Sequence, residues 1–349
     1  MFIFANSMPS TSVLASLAFL LFGTVSCSGQ RATSQDSSKV LKVGFWNMEN
    51  LYDTRNDAWN DDDFTPEGQY LWDENRYQQK LKNMGRVLDS LQADILGMCE
   101  VENKKVLVDL RAALTSSAGT KYEIVHFDSP DERGIDAAIF YHKEKMSLVT
   151  ASVIPVALPG NDKTRDILHA VFYHTATADT LHYFVNHWPS RRGGMEGSTG
   201  KRALAAEALR RELQSQNLWN KAFVIVGDFN DNPWDSSISK VLGACKPAIK
   251  SECKIHNLSG FHDVTQTGTL KYNNRWDIFD QIMISSALWN KAGSTLKFKP
   301  YSSQIFAPEW ILQHGGKYEG HPLRTFGGKT WLNGYSDHLP VTAELTYGK

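Results

Sequence analysis

Seven side chains in this sequence have types and positions suited to chemistry: Asn47, Glu100, His187, Asp228, Asn230, Asp280 and His338. Each stands at an end of a short apolar run of the kind that forms a buried strand. The densest place is AFVIVGDFNDNP, residues 222–233, where Asp228, Asn230 and Asp231 follow Gly227 within four residues. A single Asn or Asp at a strand end is most often a turn former. Seven at comparable positions imply one polar rim over a sheet core. The rim holds carboxylates, carboxamides and two imidazoles, and no thiolate. That donor set suits a hard cation, Mg²⁺, Mn²⁺ or Ca²⁺, while the histidines suit proton transfer near neutral pH. The sequence has no GxxxxGK[ST] loop, GxSxG elbow, CxxC pair or HExxH run, which argues against nucleoside-triphosphate cradles, serine hydrolase chemistry and a structural zinc site.

The elements that must position these groups are legible from periodicity. Strands are expected at 42–46, 93–99, 122–126, 135–141, 146–156, 167–174, 181–185, 222–226, 279–285 and 339–345. Helical spacing appears at 76–91, with Leu81, Met84, Val87, Leu88 and Leu91 on one face, and again at 104–114 and 201–213. Residues 48–73 read as an acidic loop holding Asp61, Asp62 and Asp63. Residues 190–200 read as a Gly-, Ser- and Arg-rich loop, and 286–335 as a long irregular stretch. In that stretch Tyr301, Phe306, Trp310 and Trp331 serve either to wall a pocket or to pack the core.

The chain has 349 residues, 42% of them hydrophobic, and a net charge of −1. That is enough to bury one full α/β core, and no global basic field advertises nucleic acid. Residues 1–27 read as a signal segment. An apolar run at 13–25, too short to span a membrane, ends in TVSC at Cys27, the expected lipidation site. Residues 28–40 read as a flexible tether and 41–349 as a single domain. Export to the periplasm or cell surface, with a lipid anchor, is the expectation. Cys99 lies in an apolar run and reads as a buried thiol. Cys245 and Cys253 flank a short segment, and both a disulfide and two separate thiols are compatible with that spacing.

The order WNMEN, ILGMCEVEN, RGIDAAIFY, NHWPSRRGG, VGDFNDNP, FDQIMIS and SDHLPV resembles the endonuclease/exonuclease/phosphatase superfamily, which has the fold of deoxyribonuclease I. The resemblance implies an α/β (α+β) four-layer sandwich, two packed and mostly antiparallel sheets with helices outside. It implies cleavage of phosphate esters with a divalent cation, Mg²⁺ first, and no covalent intermediate. Carried over by position, Glu100 is the principal metal ligand, with Asn47 and Asp337 around the metal. Asp228 and Asn230 position the attacking water and a phosphate oxygen. His338 is the catalytic histidine with Asp280 as its carboxylate partner, and His187 contacts phosphate. Asp136 and Asp277 either serve the site or support it. Arg191 and Arg192, in the Gly-flanked loop after His187, are expected as phosphate clamps, with a solvated basic loop as the alternative. An exported nuclease is the first functional expectation. A phosphatase or phosphodiesterase for a small molecule or lipid head group is the second, and a binding protein without catalysis the third.

Overall fold

The computed structural model describes residues 39–57, 61–115, 119–191, 194–248, 252–290 and 292–348. The signal segment and nearly all of the expected tether, Cys27 included, lie outside the described residues, as does Arg192.

Two seven-stranded sheets form the centre. The strands of the first half of the chain are β1 (Val40–Leu51), β2 (Ile95–Val101), β3 (Tyr122–His126), β4 (Asp136–His142), β5 (Met146–Ile154), β6 (Ile167–His174) and β7 (Thr180–His187). The second half adds β8 (Phe223–Asp228), β9 (Ala244–Cys245), β10 (Ile255–Asn257), β11 (Leu270–Tyr272), β12 (Arg275–Asp277), β13 (Asp280–Ser285), β14 (Leu296–Phe298), β15 (Gln304–Ile305), β16 (Phe326–Gly327), β17 (Thr330–Trp331) and β18 (Val341–Tyr347). One sheet runs β14-β18-β1-β2-β4-β3, with β15 also on β18. The other runs β5-β6-β7-β8-β13-β10-β9. Most pairs are antiparallel; β1 with β2, β7 with β8 and β9 with β10 are parallel.

Alternation along each strand builds the layers. Leu41, Val43 and Phe45 of β1 meet Leu181, Tyr183 and Val185 of β7, Val224 and Val226 of β8, and Ile282 and Ile284 of β13 in the core between the sheets. The opposite face of β1, Trp46 and Met48, packs on helices α1 (Glu74–Leu91) and α2 (Lys104–Ala112). The outer face of the second sheet, with Phe184, Phe223 and Ile225, packs on α3 (Met195–Ser215). Helix, sheet, sheet, helix is the expected four-layer α+β sandwich. Gly227 is required by the close approach of β7, since a Cβ there would lie 2.4 Å from the Asn186 carbonyl oxygen.

Three expectations change. The strand expected at 42–46 continues to Leu51, so WNMEN lies within β1 rather than opening a loop. The loop expected at 190–200 already contains the first turn of α3. Glycines at 197 and 200 disguise that turn, because Gly is a poor helix former. The stretch 286–335 holds a short helix and four two- or three-residue strands, too short to show periodicity. Cys245 and Cys253 are disulfide-bonded, and Cys99 is a buried free thiol.

Candidate active site

Strand parity explains why one end of the sandwich is polar. Asn47 shares the inward face with Val43 and Phe45, His187 with Val185, Asp228 with Val226, and Asp280 with Ile282. Each is the polar end of an apolar inward-facing row. In the register of the second sheet, His187 and Asp280 are both direct partners of Asp228. Glu100 has the wrong parity, and a bulge corrects it. The β2 register shifts between Cys99 and Val101, and Glu100 sits at φ 58°. Bulges of this kind re-aim a side chain, and strain is concentrated at functional positions. Asn230, at φ 51°, is likewise held in the left-handed region, as are Glu49 and Asn50 at the end of β1.

The rim is tied together by direct contacts. The Asn47 amide nitrogen donates to Asp228 Oδ2 (3.1 Å) and to Glu100 Oε1 (3.4 Å). The Asn50 amide donates to Glu100 Oε2 (3.0 Å), and the Asn230 amide to Asp228 Oδ1 (2.9 Å). His338 Nδ1 lies 2.7 Å from Asp280 Oδ2, although 58 residues separate them. Its other nitrogen, Nε2, is 3.8 Å from Asp228 and 4.0 Å from Asp337. His187 Nε2 is 3.6 Å from Glu100 and 3.8 Å from Asp228. His338 is held by backbone as well. Its carbonyl accepts from the Trp46 indole, and its amide donates to Ser336 Oγ, which itself donates to the Asn47 carbonyl. The Thr269 hydroxyl accepts from the amides of Phe279 and Asp280, fixing the start of β13.

The two histidines are driven apart electrostatically. Burial alone lowers the His338 pKa, but Asp280, Asp228 and Asp337 outweigh it and hold the ring well above its ordinary value, so it is an imidazolium at neutral pH. Burial, then Arg165, Arg133 and His338, hold His187 well below its ordinary value, so it is neutral. Burial raises Asp228 to about 6 and the charges of Asp280 and Glu100 add to that, against the pull of His338. One imidazolium, one neutral imidazole and a carboxylate poised near neutrality make an acid–base site.

The donors fit a hard divalent cation. Glu100, Asp228 and Asp337 offer only oxygen ligands, while Asn47 turns its amide nitrogen to Glu100 and Asp228 and its oxygen to the Glu49 amide. Of the four rim carboxylates, those three and Asp280, two are paired, Asp280 with the His338 imidazolium and Asp337 with Arg324. Glu100 and Asp228 accept only neutral donors at hydrogen-bond distance among the described residues, which leaves their charge for a cation. Asp280 Oδ1 and His187 Nδ1 are buried without a hydrogen-bond partner among the described residues. Elsewhere, ligand atoms of His126, Asp128 and Asp136 lie within 4.8 Å of one another. Asp136 is already engaged there by His126 Nε2 and the Ser129 amide, so it supports that loop. Asp277 likewise accepts from Asn232 and stays a support.

Arg191 does not stand open to a phosphate. Its Nε donates to the Asn230 carbonyl (2.8 Å), its guanidinium pairs with Asp231 (3.1 Å) and Asp235 (2.7 Å), and it lies over the Phe279 ring. The clamp expectation is therefore corrected to a brace for the loop that carries Asn230, because two carboxylates already consume its charge. Arg191→Ala is expected to lower the melting temperature, by about 1–2 kcal/mol of stability, and to reduce kcat. A raised KM at unchanged melting temperature would restore the clamp.

Several participants escaped the sequence reading. Arg133 and Arg165 supply the positive field at His187. Glu49, pushed to about 7 by burial and by Asp337, is bonded to Arg324 and to the Thr325 amide. Arg324 also donates to Asp337 (2.9 Å), tying it to Glu49. Lys80 is fully buried and donates to the Glu49 carbonyl and the Thr325 hydroxyl. Lys80 had a readable signal: it stands four residues before Met84 on the apolar face of α1, where a lysine must find a partner.

The model of the endonuclease/exonuclease/phosphatase family matches residues 42–347. Among solved structures, an endonuclease/exonuclease/phosphatase family protein from Bacteroides thetaiotaomicron is 17% identical, with a TM-score of 0.59 over 88% of this chain and 98% of that one. A mannosyl-6-phosphatase from the same organism is also 17% identical, with a TM-score of 0.57 over 88% and 100%. D. rerio TDP2 complexed with a single-strand DNA product is 16% identical, with a TM-score of 0.53 over 88% and 99%. Among curated proteins, none matches the chain.

Proposed function

The chain belongs to the endonuclease/exonuclease/phosphatase family and is a phosphoric ester hydrolase, and on that premise we propose that it cleaves a small phosphorylated molecule by attack of water. One observation carries the choice of substrate size. A cavity of about 590 Å³ shares Arg324 and Asp337 with the rim and is walled by the β11–β12 turn and by residues 313–332. That volume is ordinary for a small-molecule site. The loop after His187 also offers less to a polyanionic backbone than its sequence suggests, since Arg191 is neutralised by its two carboxylates. A nucleic-acid strand is the second reading. It is favoured by Trp234, which is exposed four residues beyond Asn230 and offers a face for base stacking.

In this reading the imidazolium of His338, oriented by Asp280, donates to a non-bridging phosphate oxygen as charge develops there. Asp228 takes the proton of the attacking water, with Asn47 and Asn230 fixing its position. His187, neutral, completes the contacts to phosphate. Glu100 and Asp337, with Asn47 through its amide oxygen, would hold a divalent cation, which would supply charge neutralisation at the phosphate when bound; Mg²⁺ is the first choice, with Mn²⁺ and Ca²⁺ next. A panel assay with each cation separates the substrate readings. Its substrates are p-nitrophenyl phosphate, bis-p-nitrophenyl phosphate, sugar phosphates, plasmid DNA and RNA. Sugar phosphates are expected to turn over with the higher kcat/KM, and preferential cleavage of DNA or RNA would establish the nuclease instead.

We also propose export, with lipidation at Cys27, a polar tether over 28–40 and a catalytic domain over 41–349. The Cys245 to Cys253 disulfide supports an oxidising compartment. Wild-type protein is expected in the membrane fraction with its amino terminus at Cys27. Cys27→Ser is expected to stay unprocessed or to be released. Mass spectrometry finding an unmodified amino terminus at another position would remove the anchor.

A further inference from the structure

We propose that the cavity beside Asp337 binds the part of the substrate that is not cleaved, and that Lys271 and Lys317 select molecules carrying a second anionic group, a phosphate or a carboxylate. The proposal rests on the small-molecule reading above. Asp337 connects the two places: it lines the cavity, and its Oδ1 lies 4.0 Å from His338 Nε2. A molecule whose ester phosphate meets His338 therefore has this cavity as its neighbour.

The charge of the lining is unbalanced. Among the described residues that line it, Lys271, Lys317 and Arg324 are the cations and Asp337 the one carboxylate. Arg324 is spent on Glu49 and Asp337. Among the described residues, neither Lys271 nor Lys317 has a carboxylate within 4.0 Å. Lys271 is half-buried, with its ammonium 5.0 Å from the Trp276 ring centroid and 3.9 Å from where a Cβ on Gly320 would stand, so it reaches the opposite wall. Lys317 lies 5.3 Å from the Tyr318 ring centroid. Both lysines line the same partly enclosed space, Lys271 half-buried and Lys317 exposed, and an anionic group bound there would pair with ammoniums that have no carboxylate partner among the described residues. His321 does not add a third charge: burial and Lys271 lower its pKa, and its Nε2 meets the Asn274 side chain (2.9 Å). Tyr272 and Tyr318 are 69% and 50% exposed and offer flat faces for a sugar ring or base.

Three substrates share one scissile 6-phosphate and test this directly: glucose 6-phosphate, glucose 1,6-bisphosphate and 6-phosphogluconate. The second substituent is a hydroxyl, a phosphate or a carboxylate. With the full chain and a divalent cation, kcat/KM is expected to be about tenfold higher for one or both of the compounds that carry a second anionic group, mainly through KM, the size of one charged contact. The phosphate and carboxylate arms identify which anion the cavity takes. In the Lys271→Gln/Lys317→Gln variant the ratio to glucose 6-phosphate is expected to fall to near one. Lys271→Arg/Lys317→Arg, which keeps both charges, is expected to retain it and guards against misfolding. Equal turnover of all three by the wild type, or a preference that survives in the Gln variant, overturns the proposal and leaves the small-molecule reading intact. Cleavage of DNA with no turnover of any monoester overturns both.

Discussion

Glu100→Gln is expected to lose most turnover, about 10²–10³-fold or more, the size typical when an electrostatic contact to the transition state is removed. The reason is charge rather than shape. Gln keeps a carbonyl oxygen that can still accept from the Asn50 amide, and it keeps a contact to the Asn47 amide. It removes the negative charge that would hold a hard cation in the proposed site. The fold is expected to remain, because the bulge at position 100 is set by the β2 register and not by the carboxylate. The check has two parts. Turnover by the wild type should vanish in excess EDTA and return with Mg²⁺ or Mn²⁺. Calorimetric titration of Mn²⁺ should show weaker binding to the variant. Full turnover in EDTA, or an unimpaired variant, would remove the metal from the mechanism.

Breaking the His338 to Asp280 pair is expected to cost about 10²–10⁴-fold in kcat. Its stability consequence depends on which partner is removed. Asp280 is fully buried, and one of its oxygens already lacks a partner among the described residues. His338→Ala therefore strands a buried charge and is expected to destabilise by about 3–5 kcal/mol, not to leave folding untouched as a ring at an open rim would. Asp280→Asn keeps the shape and removes the charge. It is expected to lose activity with a smaller drop in melting temperature, and to move the basic limb of the kcat profile to lower pH as the imidazolium loses its partner. The double variant should be non-additive, since the pair acts as a unit.

The sign of the pH dependence of stability follows from the raised His338 pKa. Stability from the imidazolium is fully present below the unfolded histidine value of about 6.5, and it is lost as pH rises through the higher folded value. The destabilisation caused by His338→Ala is thus expected to be larger at pH 6 than at high pH. Denaturant titrations of both proteins at the two pH values measure it. A penalty that grows with pH would show that His338 is not the charged partner.

The strands, helices and polar rim were legible in the sequence because their causes are local. Alternation with period two puts Asn47, His187, Asp228 and Asp280 on the same faces as the apolar residues before them, whatever the strand order. A strand ending in GDFN must release its carboxylate inward for the same reason. Contacts between distant segments carried no such signal. The pairing of His338 with Asp280 follows from β13 lying beside β8 while the segment before β18 is bonded to β1 and to Thr269. The aim of Glu100 was set by a bulge that reverses its parity. Arg191 read as a free cation because Asp231 and Asp235 look like turn residues. Only the folded loop brings their charge onto the guanidinium. The cavity belongs wholly to this second kind of information. Its walls come from strands of two or three residues and from irregular backbone, where packing against the rest of the molecule decides what periodicity cannot.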